Sequence, residues 1–470
     1  MATIPAGAAA GFDIPAALRA FAAALLATAF AAAALLLAVG MPLFSPVDEI
    51  QHVDYALKLA RHGEASPLEP VERDLWEIAR SHGFRANQYY FGRGWWLPRE
   101  PSALSGIAYH RPAFHRATGE ALDWALRRGL FALEEGILLL RLACAAAFLA
   151  ARLLLVFVLW RVHPLLGAAS LAYAASFLPV EMLRFSNDTP VHVLSAAAMA
   201  LFFGRGPGRA PGIPALIAGG LALGAAILIK PNAGLFALPG AALALTALCW
   251  TARPRRRLLA PLAGIAIPAA AVAFAVLRMG DMQEQISEVI RSNREHLAEP
   301  LRGSPLLLIP SFSRQYHLEM SFFTADTVFL SYKHHILPGA HELRTLTLLG
   351  AVFSLLALWR GPGGARLARL FPAAPGARGA FLWLLAAALA ARLGITFVET
   401  WFDLYVGYFH LLTIRQLLPA ELFLLLPVVA GWTLFTASPH RSAAWFRGAL
   451  FVGFAAVGWG MTAVFAAVLR

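Results

Sequence analysis

The sequence predicts an all-α membrane protein, a bundle of about eleven transmembrane helices. Of its 470 residues, 59% are hydrophobic and only 14% are charged, and the mean hydropathy is +0.64. Several apolar runs exceed the roughly 18 to 20 residues that cross a hydrocarbon core about 30 Å thick. Because backbone polar groups find no partners in lipid, such segments must be helical.

The predicted spans follow one another along the chain, which we interpret as a single domain over residues 1–470. They cover roughly residues 16–40, 137–160, 165–182, 190–204, 213–229, 234–250, 258–277, 343–359, 380–398, 416–436 and 448–468. The first run is much longer than the roughly 7 to 15 residue apolar core of a cleavable signal peptide, so we interpret it as a retained anchor.

The placement of arginine predicts the orientation of these spans. If the N-terminus is cytoplasmic, every inner loop contains arginine: Arg161; Arg205 and Arg209; Arg253, Arg255, Arg256 and Arg257; Arg360, Arg366, Arg369 and Arg378; Arg441 and Arg447. This distribution follows the positive-inside rule. Topology therefore accounts for the net charge of +12 better than nucleic-acid binding, which we reject.

With this orientation, two long hydrophilic stretches lie on the periplasmic side, residues 41–136 and residues 278–342. The inner loops are short by comparison. This asymmetry indicates that the protein does its work at the outer face of the membrane.

The first outer loop contains two candidate interfacial helices. Apolar residues recur at helical spacing from Ile50 to Ala60, which predicts a helix lying along the membrane surface. The charged residues of this stretch fall on its other faces: Asp54, Lys58 and Arg61. Residues 71–80 predict a second helix of the same kind.

An acidic pair, Asp48 and Glu49, follows the first span by about eight residues. In a helix, Asp48, His52 and Tyr55 share one face. A carboxylate so close to the bilayer suggests a catalytic base. The alternative is a helix start, with Ser45 as the N-cap and Asp48 closing a capping box. The two interpretations are compatible, because a carboxylate at a helix N-terminus stays ionised, as a base requires.

This stretch resembles the first outer loop of the GT-C membrane glycosyltransferases. The pattern is P-x-D-E-x-x-H-x-x-Y-A-x-x-L-A-x-x-G, present as Pro46, Asp48, Glu49, His52, Tyr55, Ala56, Leu59, Ala60 and Gly63. The superfamily includes the protein O-mannosyltransferases and the aminoarabinose transferases of lipid A. The resemblance implies transfer of a sugar from a polyprenyl-phosphate donor on the outer side, with an acidic residue of this loop as the base.

Later segments are similar to further GT-C landmarks in the same order, most closely to those of a poorly characterised bacterial branch. They are YHRPAFH at 109–115, ILLLRLACAA at 137–146, FLPVEMLRFSND at 177–188, AILIKPN at 226–232 and IRQLLPAELFLLLP at 414–427. In the first of these, His110 and Pro112 remain where many members have histidine, two prolines, leucine and two tyrosines; the tyrosines are replaced.

A lipid-linked donor releases a negatively charged phosphate, which a partly dry site must balance with fixed positive charge. The outer-side cations nearest predicted span ends are Arg415, Lys230, Arg184 and Lys333. Arg415 is the first choice for the phosphate and Lys230 the second. The alternative for each is a snorkelling cation that anchors its helix.

Other polar residues near the spans have less direct interpretations. Asn187 and Asp188 lie at an outer turn. They either hold the sugar or the catalytic base in place, or Asn187 caps the fourth span. Arginines within spans are expected to pair with a carboxylate or backbone group: Arg141, Arg152 and Arg392.

The sequence supports no dedicated metal site or disulfide framework. The outer histidines lack the pairing with glutamate typical of zinc hydrolases, so a solvated or interfacial histidine is the default: His110, His115, His317, His334, His335 and His341. Both cysteines, Cys144 and Cys249, lie within apolar runs. The expected chemistry needs no cofactor, although a divalent cation beside the acidic pair is compatible with it.

These expectations combine into a glycosyltransferase of the cytoplasmic (inner) membrane with its active site at the periplasmic face. Asp48 acts as the base, Glu49 assists it or orients the acceptor, and His52, Tyr55 and His110 contact acceptor or sugar. The partners are the polyprenyl-phosphate sugar, a glycan, lipid or protein acceptor, and the bilayer. The alternative is a transporter or flippase of lipid-linked sugars, which more often shows internal repeats and a site at the bilayer midplane.

Overall fold

The structure is a computed structural model. It describes residues 24, 27–28, 31–32, 34–36, 38–40, 43–44, 49–66, 69–82, 112–162, 183–203, 212–230, 266–271 and 273–274. The described part is mostly helical, and its principal helices are α1 (Glu49–His62), α2 (Arg73–Ser81), α3 (Pro112–Arg127), α4 (Leu133–Val162), α5 (Asp188–Phe203) and α6 (Ile213–Ile229). The predicted spans 165–182 and 234–250, the predicted outer loop 278–342 and all predicted spans from residue 343 onward lie outside the described residues.

The long apolar helix is α4. Its stretch Leu133–Val158 is, among the described residues, the one helix long and apolar enough to cross a membrane. Two shorter apolar helices, α5 and α6, follow. The predicted spans at 137–160, 190–204 and 213–229 are therefore helical, with boundaries within four residues of those expected.

Local backbone chemistry sets the connection between α3 and α4. At the end of α3, Gly129 has a φ of 64°. The Gly129 N–H donates to the Leu126 carbonyl (2.9 Å) and the Leu130 N–H donates to the Ala125 carbonyl (3.1 Å), which is a Schellman arrangement. Just before α4, the Ala132 N–H donates to the Glu135 carboxylate at 2.8 Å. Helix α4 therefore begins with a capping interaction.

Helices α1 and α3 cross very closely. A Cβ built on Gly119 of α3 would lie 1.9 Å from the Ala56 carbonyl oxygen of α1, so only glycine fits at this crossing. Apolar residues from α1, α2, α3 and the first turns of α4 then close one core, which includes Val53, Leu57, Trp76 and Leu122. A second packed group is formed by α4, α5 and α6 in chain order.

Helix α1 is buried nearly all round within the described residues. Asp54 and Lys58, predicted on faces other than the apolar one, are buried and form an ion pair at 3.0 Å. The chain before α2 folds back over them: the Asp54 carboxylate accepts the Glu72 N–H at 2.8 Å, and Lys58 Nζ donates to the Pro70 carbonyl at 2.7 Å. These contacts satisfy the buried charges. The predicted second helix is present as α2.

Candidate active site at the start of α1

Glu49 is the first residue of α1 and is fully buried. The guanidinium of Arg141, on α4, donates two hydrogen bonds to the Glu49 carboxylate. Nε donates to Oε1 at 3.0 Å, and Nη2 donates to Oε2. The Phe185 N–H donates to the same Oε1 at 3.0 Å. Arg141 also donates from Nη1 to the Ala38 carbonyl at 3.3 Å, so this pair joins four segments of the chain.

The environment of Glu49 keeps its carboxylate ionised. Burial raises the pKa of Glu49, but Arg141, the Phe185 N–H and the nearby Arg184 together outweigh burial, and the net pKa is below its ordinary value. The expected carboxylate or backbone partner for Arg141 is confirmed by the contacts with Glu49 and with the Ala38 carbonyl. Both side chains of the Glu49–Arg141 pair are fully buried. Glu49 is therefore held as an acceptor in a fixed position.

His52, one turn further along α1, meets His115 of α3. His52 Nδ1 and His115 Nε2 are 2.8 Å apart, and the two rings are parallel within 2° with centroids 5.1 Å apart. The Tyr55 ring is tilted against His115 at 4.8 Å. One imidazole must donate and the other must accept in such a contact, so the pair accommodates one proton between the two nitrogens.

The default expectation of a solvated or interfacial His115 is wrong, because this side chain is fully buried. The reason is the close crossing at Gly119, which lies one helical turn beyond His115 and lets α3 approach α1. The pair His115 and Gly119 at i and i+4 was the sequence signal that could have indicated this.

Burial also raises the pKa of Tyr55 to about 12, and the positive charge of Arg116 opposes this rise.

A second buried ion pair lies at the start of α5. Lys230, which directly follows α6, donates from Nζ to Asp188 Oδ1 at 2.5 Å, and both side chains are buried. Asp188 is the first residue of α5, where the partial positive charge of the helix N-terminus favours a carboxylate. Lys230, expected to bind the donor phosphate, thus has a carboxylate partner from the protein.

The segment 184–188 connects the two ion pairs. Phe185 donates to Glu49, and Asp188, three residues later, binds Lys230. Arg184 is fully buried beside Glu49. The interpretation of Asn187 as a helix cap is wrong: its amide oxygen and nitrogen are buried and hydrogen-bond to nothing in the structure as described, while the Asp188 N–H donates to Ser186 Oγ at 3.3 Å.

The structure thus brings Glu49, Arg184, Asp188 and Lys230 into connected segments and sets His52 and Tyr55 against His115. Four predicted site residues lie outside the described residues: Asp48, His110, Lys333 and Arg415. Within the ranges that the structure describes, no group of three or more histidine, cysteine, aspartate and glutamate side chains is arranged to hold a metal ion.

Comparisons with protein-family models, with curated proteins and with solved structures found no match to this chain.

Proposed function

We propose that the protein is a GT-C-type membrane glycosyltransferase that transfers a sugar from a polyprenyl-phosphate donor to an acceptor hydroxyl. The single observation that carries the proposal is the buried Glu49–Arg141 pair at the first residue of α1. Removing two charges from water is expensive, and a buried pair adds little net stability compared with apolar packing. We infer that the pair serves to hold the first residue of α1, and with it the acidic motif, in a fixed position.

The proposal gives Asp48 and Glu49 different tasks. Glu49 accepts three hydrogen bonds from Arg141 and Phe185, and its low pKa makes it a weak base. We therefore assign Glu49 to positioning and Asp48, which precedes it in the sequence, to catalysis. In the reaction Asp48 takes the proton of the acceptor hydroxyl, and that oxygen bonds to the anomeric carbon from the face opposite the lipid phosphate.

The bond from the anomeric carbon to the phosphate oxygen breaks as the new bond forms, its electron pair leaves with the phosphate, and the anomeric configuration inverts. Fixed positive charge stabilises the leaving phosphate. Arg415, Arg184, Lys230 and Lys333 are the proposed sources. The Lys230 ammonium group binds Asp188. In the proposed reaction the same ammonium group also binds the leaving phosphate. His52, Tyr55 and His110 are assigned to the acceptor or the sugar.

The proposed architecture is a GT-C-like bundle of about eleven spans in the cytoplasmic membrane, with the active site outside. The apolar helix α4, the shorter apolar helices α5 and α6 and the repeated arginines of the predicted inner loops support it. The partners are the lipid-linked sugar, a glycan, lipid or protein acceptor, and the bilayer. No cofactor is assigned.

The test is transfer of radiolabelled sugar from a lipid-linked donor by purified protein in detergent. Asp48→Asn should lower the rate about a hundred- to ten-thousand-fold, the usual contribution of a positioned base, with unchanged thermal unfolding. Full activity of a folded Asp48→Asn protein would remove Asp48 from this role. Activity in detergent also separates an enzyme from a transporter or flippase, because transport requires two compartments.

A further inference from the structure

The second half of the described part contains a row of buried polar side chains along α5. Asp188, His192 and Ser195 fall at positions i, i+4 and i+7 of this helix and therefore share one face, with Asn187 just before the first turn. All four are essentially unexposed. We call these four residues the polar face of α5. It extends for about 10 Å from Asp188 to Ser195 at the α-helical rise.

Among the residues that the structure describes, three members of the polar face make no hydrogen bond. Both amide atoms of Asn187, both ring nitrogens of His192 and the hydroxyl of Ser195 make no hydrogen bond in the described structure. A buried polar group left without a hydrogen bond destabilises the folded protein. Two of these residues, His192 and Ser195, share one face of α5 and Asn187 directly precedes the helix. Polar groups inside membrane helices commonly mark a functional site.

The surroundings of the polar face are partly charged and firmly built. Asp188 is bound by Lys230 from the end of α6. The ring of His192 lies 4.9 Å from that of Phe148 on α4, and the guanidinium of Arg152 lies over the same Phe148 ring at 5.4 Å. Helices α4 and α6 both pack against α5, so the polar face lies within the helix bundle.

The chemistry of these side chains defines a ligand. An asparagine amide, a neutral imidazole and a hydroxyl each offer both a donor and an acceptor. Sugar hydroxyls offer the same combination. The charge of Asp188 is balanced by Lys230, so the polar face has no unbalanced carboxylate to favour a cation. We propose that the polar face of α5 binds a hydroxyl-rich ring, with Asn187, His192 and Ser195 as hydrogen-bonding residues.

The assignment of this ring as the sugar moiety of the donor or acceptor rests on the proposed glycosyltransferase function. Binding itself does not depend on it. The test therefore measures access and occupancy of the polar face and requires no transfer reaction.

The experiment is cysteine labelling in a background with Cys144→Ala and Cys249→Ala, reconstituted in lipid nanodiscs. Ser195→Cys preserves the size of the side chain. This variant is treated with a small, permanently charged methanethiosulfonate reagent, and intact-protein mass spectrometry measures the labelled fraction. Ala196→Cys is the matched control, because Ala196 is 1% exposed and points about 100° away around the same helix.

We expect Ser195→Cys to react at least about tenfold faster than Ala196→Cys. Glycerol, xylitol and a panel of free hexoses and pentoses at high millimolar concentration serve as probes. At least one should slow labelling of Ser195→Cys, and adding Asn187→Ala should weaken that protection about tenfold, the effect of losing one buried hydrogen bond.

Three outcomes would overturn the proposal: no reaction at Ser195→Cys, equal reaction at both positions, or labelling that no polyol or sugar slows. The Asp48→Asn variant distinguishes this proposal from the proposed function. It should abolish transfer while the labelling and its protection stay unchanged. If labelling and protection behave as expected but the wild-type protein transfers no sugar, the binding site stands and the glycosyltransferase assignment fails.

Discussion

The two buried polar regions of this protein differ in how completely their groups are partnered. At the start of α1, both oxygens of Glu49 accept hydrogen bonds from Arg141 and Phe185. Along α5, Asn187, His192 and Ser195 are equally buried, but these three have no hydrogen-bond partner within the described ranges. A satisfied polar network rigidifies the site that contains it, whereas an unsatisfied one is costly until something binds. The Glu49–Arg141 pair therefore acts as scaffold, and the polar face of α5 is the proposed binding surface.

The largest expected effect comes from breaking the Glu49–Arg141 pair. Arg141→Met leaves the Glu49 carboxylate buried without its main partner, so we expect a loss of about 3–5 kcal/mol in the free energy of unfolding. Thermal and denaturant-induced unfolding of the purified protein in detergent measures this loss.

The matched control is the double variant Glu49→Gln with Arg141→Met, which removes both charges. It should recover most of the stability that Arg141→Met loses, because no isolated charge stays buried. A double variant as unstable as Arg141→Met alone would show that apolar packing around Arg141, and not its charge, stabilises this region.

A smaller effect is expected at the crossing of α1 and α3. Gly119→Ala would bring its Cβ to 1.9 Å from the Ala56 carbonyl oxygen, which forces the helices apart and should cost about 1–3 kcal/mol. The separation should also disturb the contact between His52 and His115, which a change in the histidine signals of an NMR spectrum would report.

Gly224→Ala is the control for this substitution. At Gly224 of α6 the nearest atom to an added Cβ is 3.5 Å away, on Ile267, which is ordinary van der Waals contact. Equal destabilisation by the two substitutions would mean that helix propensity or general packing, and not the close crossing, determines the outcome at Gly119.

The smallest expected effect tests how dry the first region is. The pKa of Tyr55 is raised from 10.0 to about 12, so the neutral phenol is favoured by the folded state. This contribution to stability is fully present below pH 10 and is lost as the pH rises from 10 towards 12. We expect the wild-type melting temperature to fall more steeply over this range than that of Tyr55→Phe.

The difference between wild type and Tyr55→Phe in near-ultraviolet absorbance isolates the titration of this one phenol. A midpoint close to 10 would show that water reaches Tyr55. Water would then reach the polar atoms of the first region, and the contrast with the polar face of α5 would disappear.

Several structural features were predictable from local sequence. The hydropathy and the length of the apolar runs indicated α4, α5 and α6 within a few residues. The high cost of a buried guanidinium correctly indicated a carboxylate or backbone partner for Arg141, which has both. Both inferences depend on short-range properties of the chain, namely hydropathy, helix geometry and the solvation of a single charged group.

Which groups meet was decided by the tertiary structure alone. Glu49 and Arg141 are 92 residues apart and His52 and His115 are 63 apart, so no local pattern pairs them. The close approach of α1 and α3 at Gly119 buries His115, and the chain before α2 covers Asp54 and Lys58. Periodicity defines the faces of a helix, but the identity of the opposing surface depends on how helices distant in sequence cross.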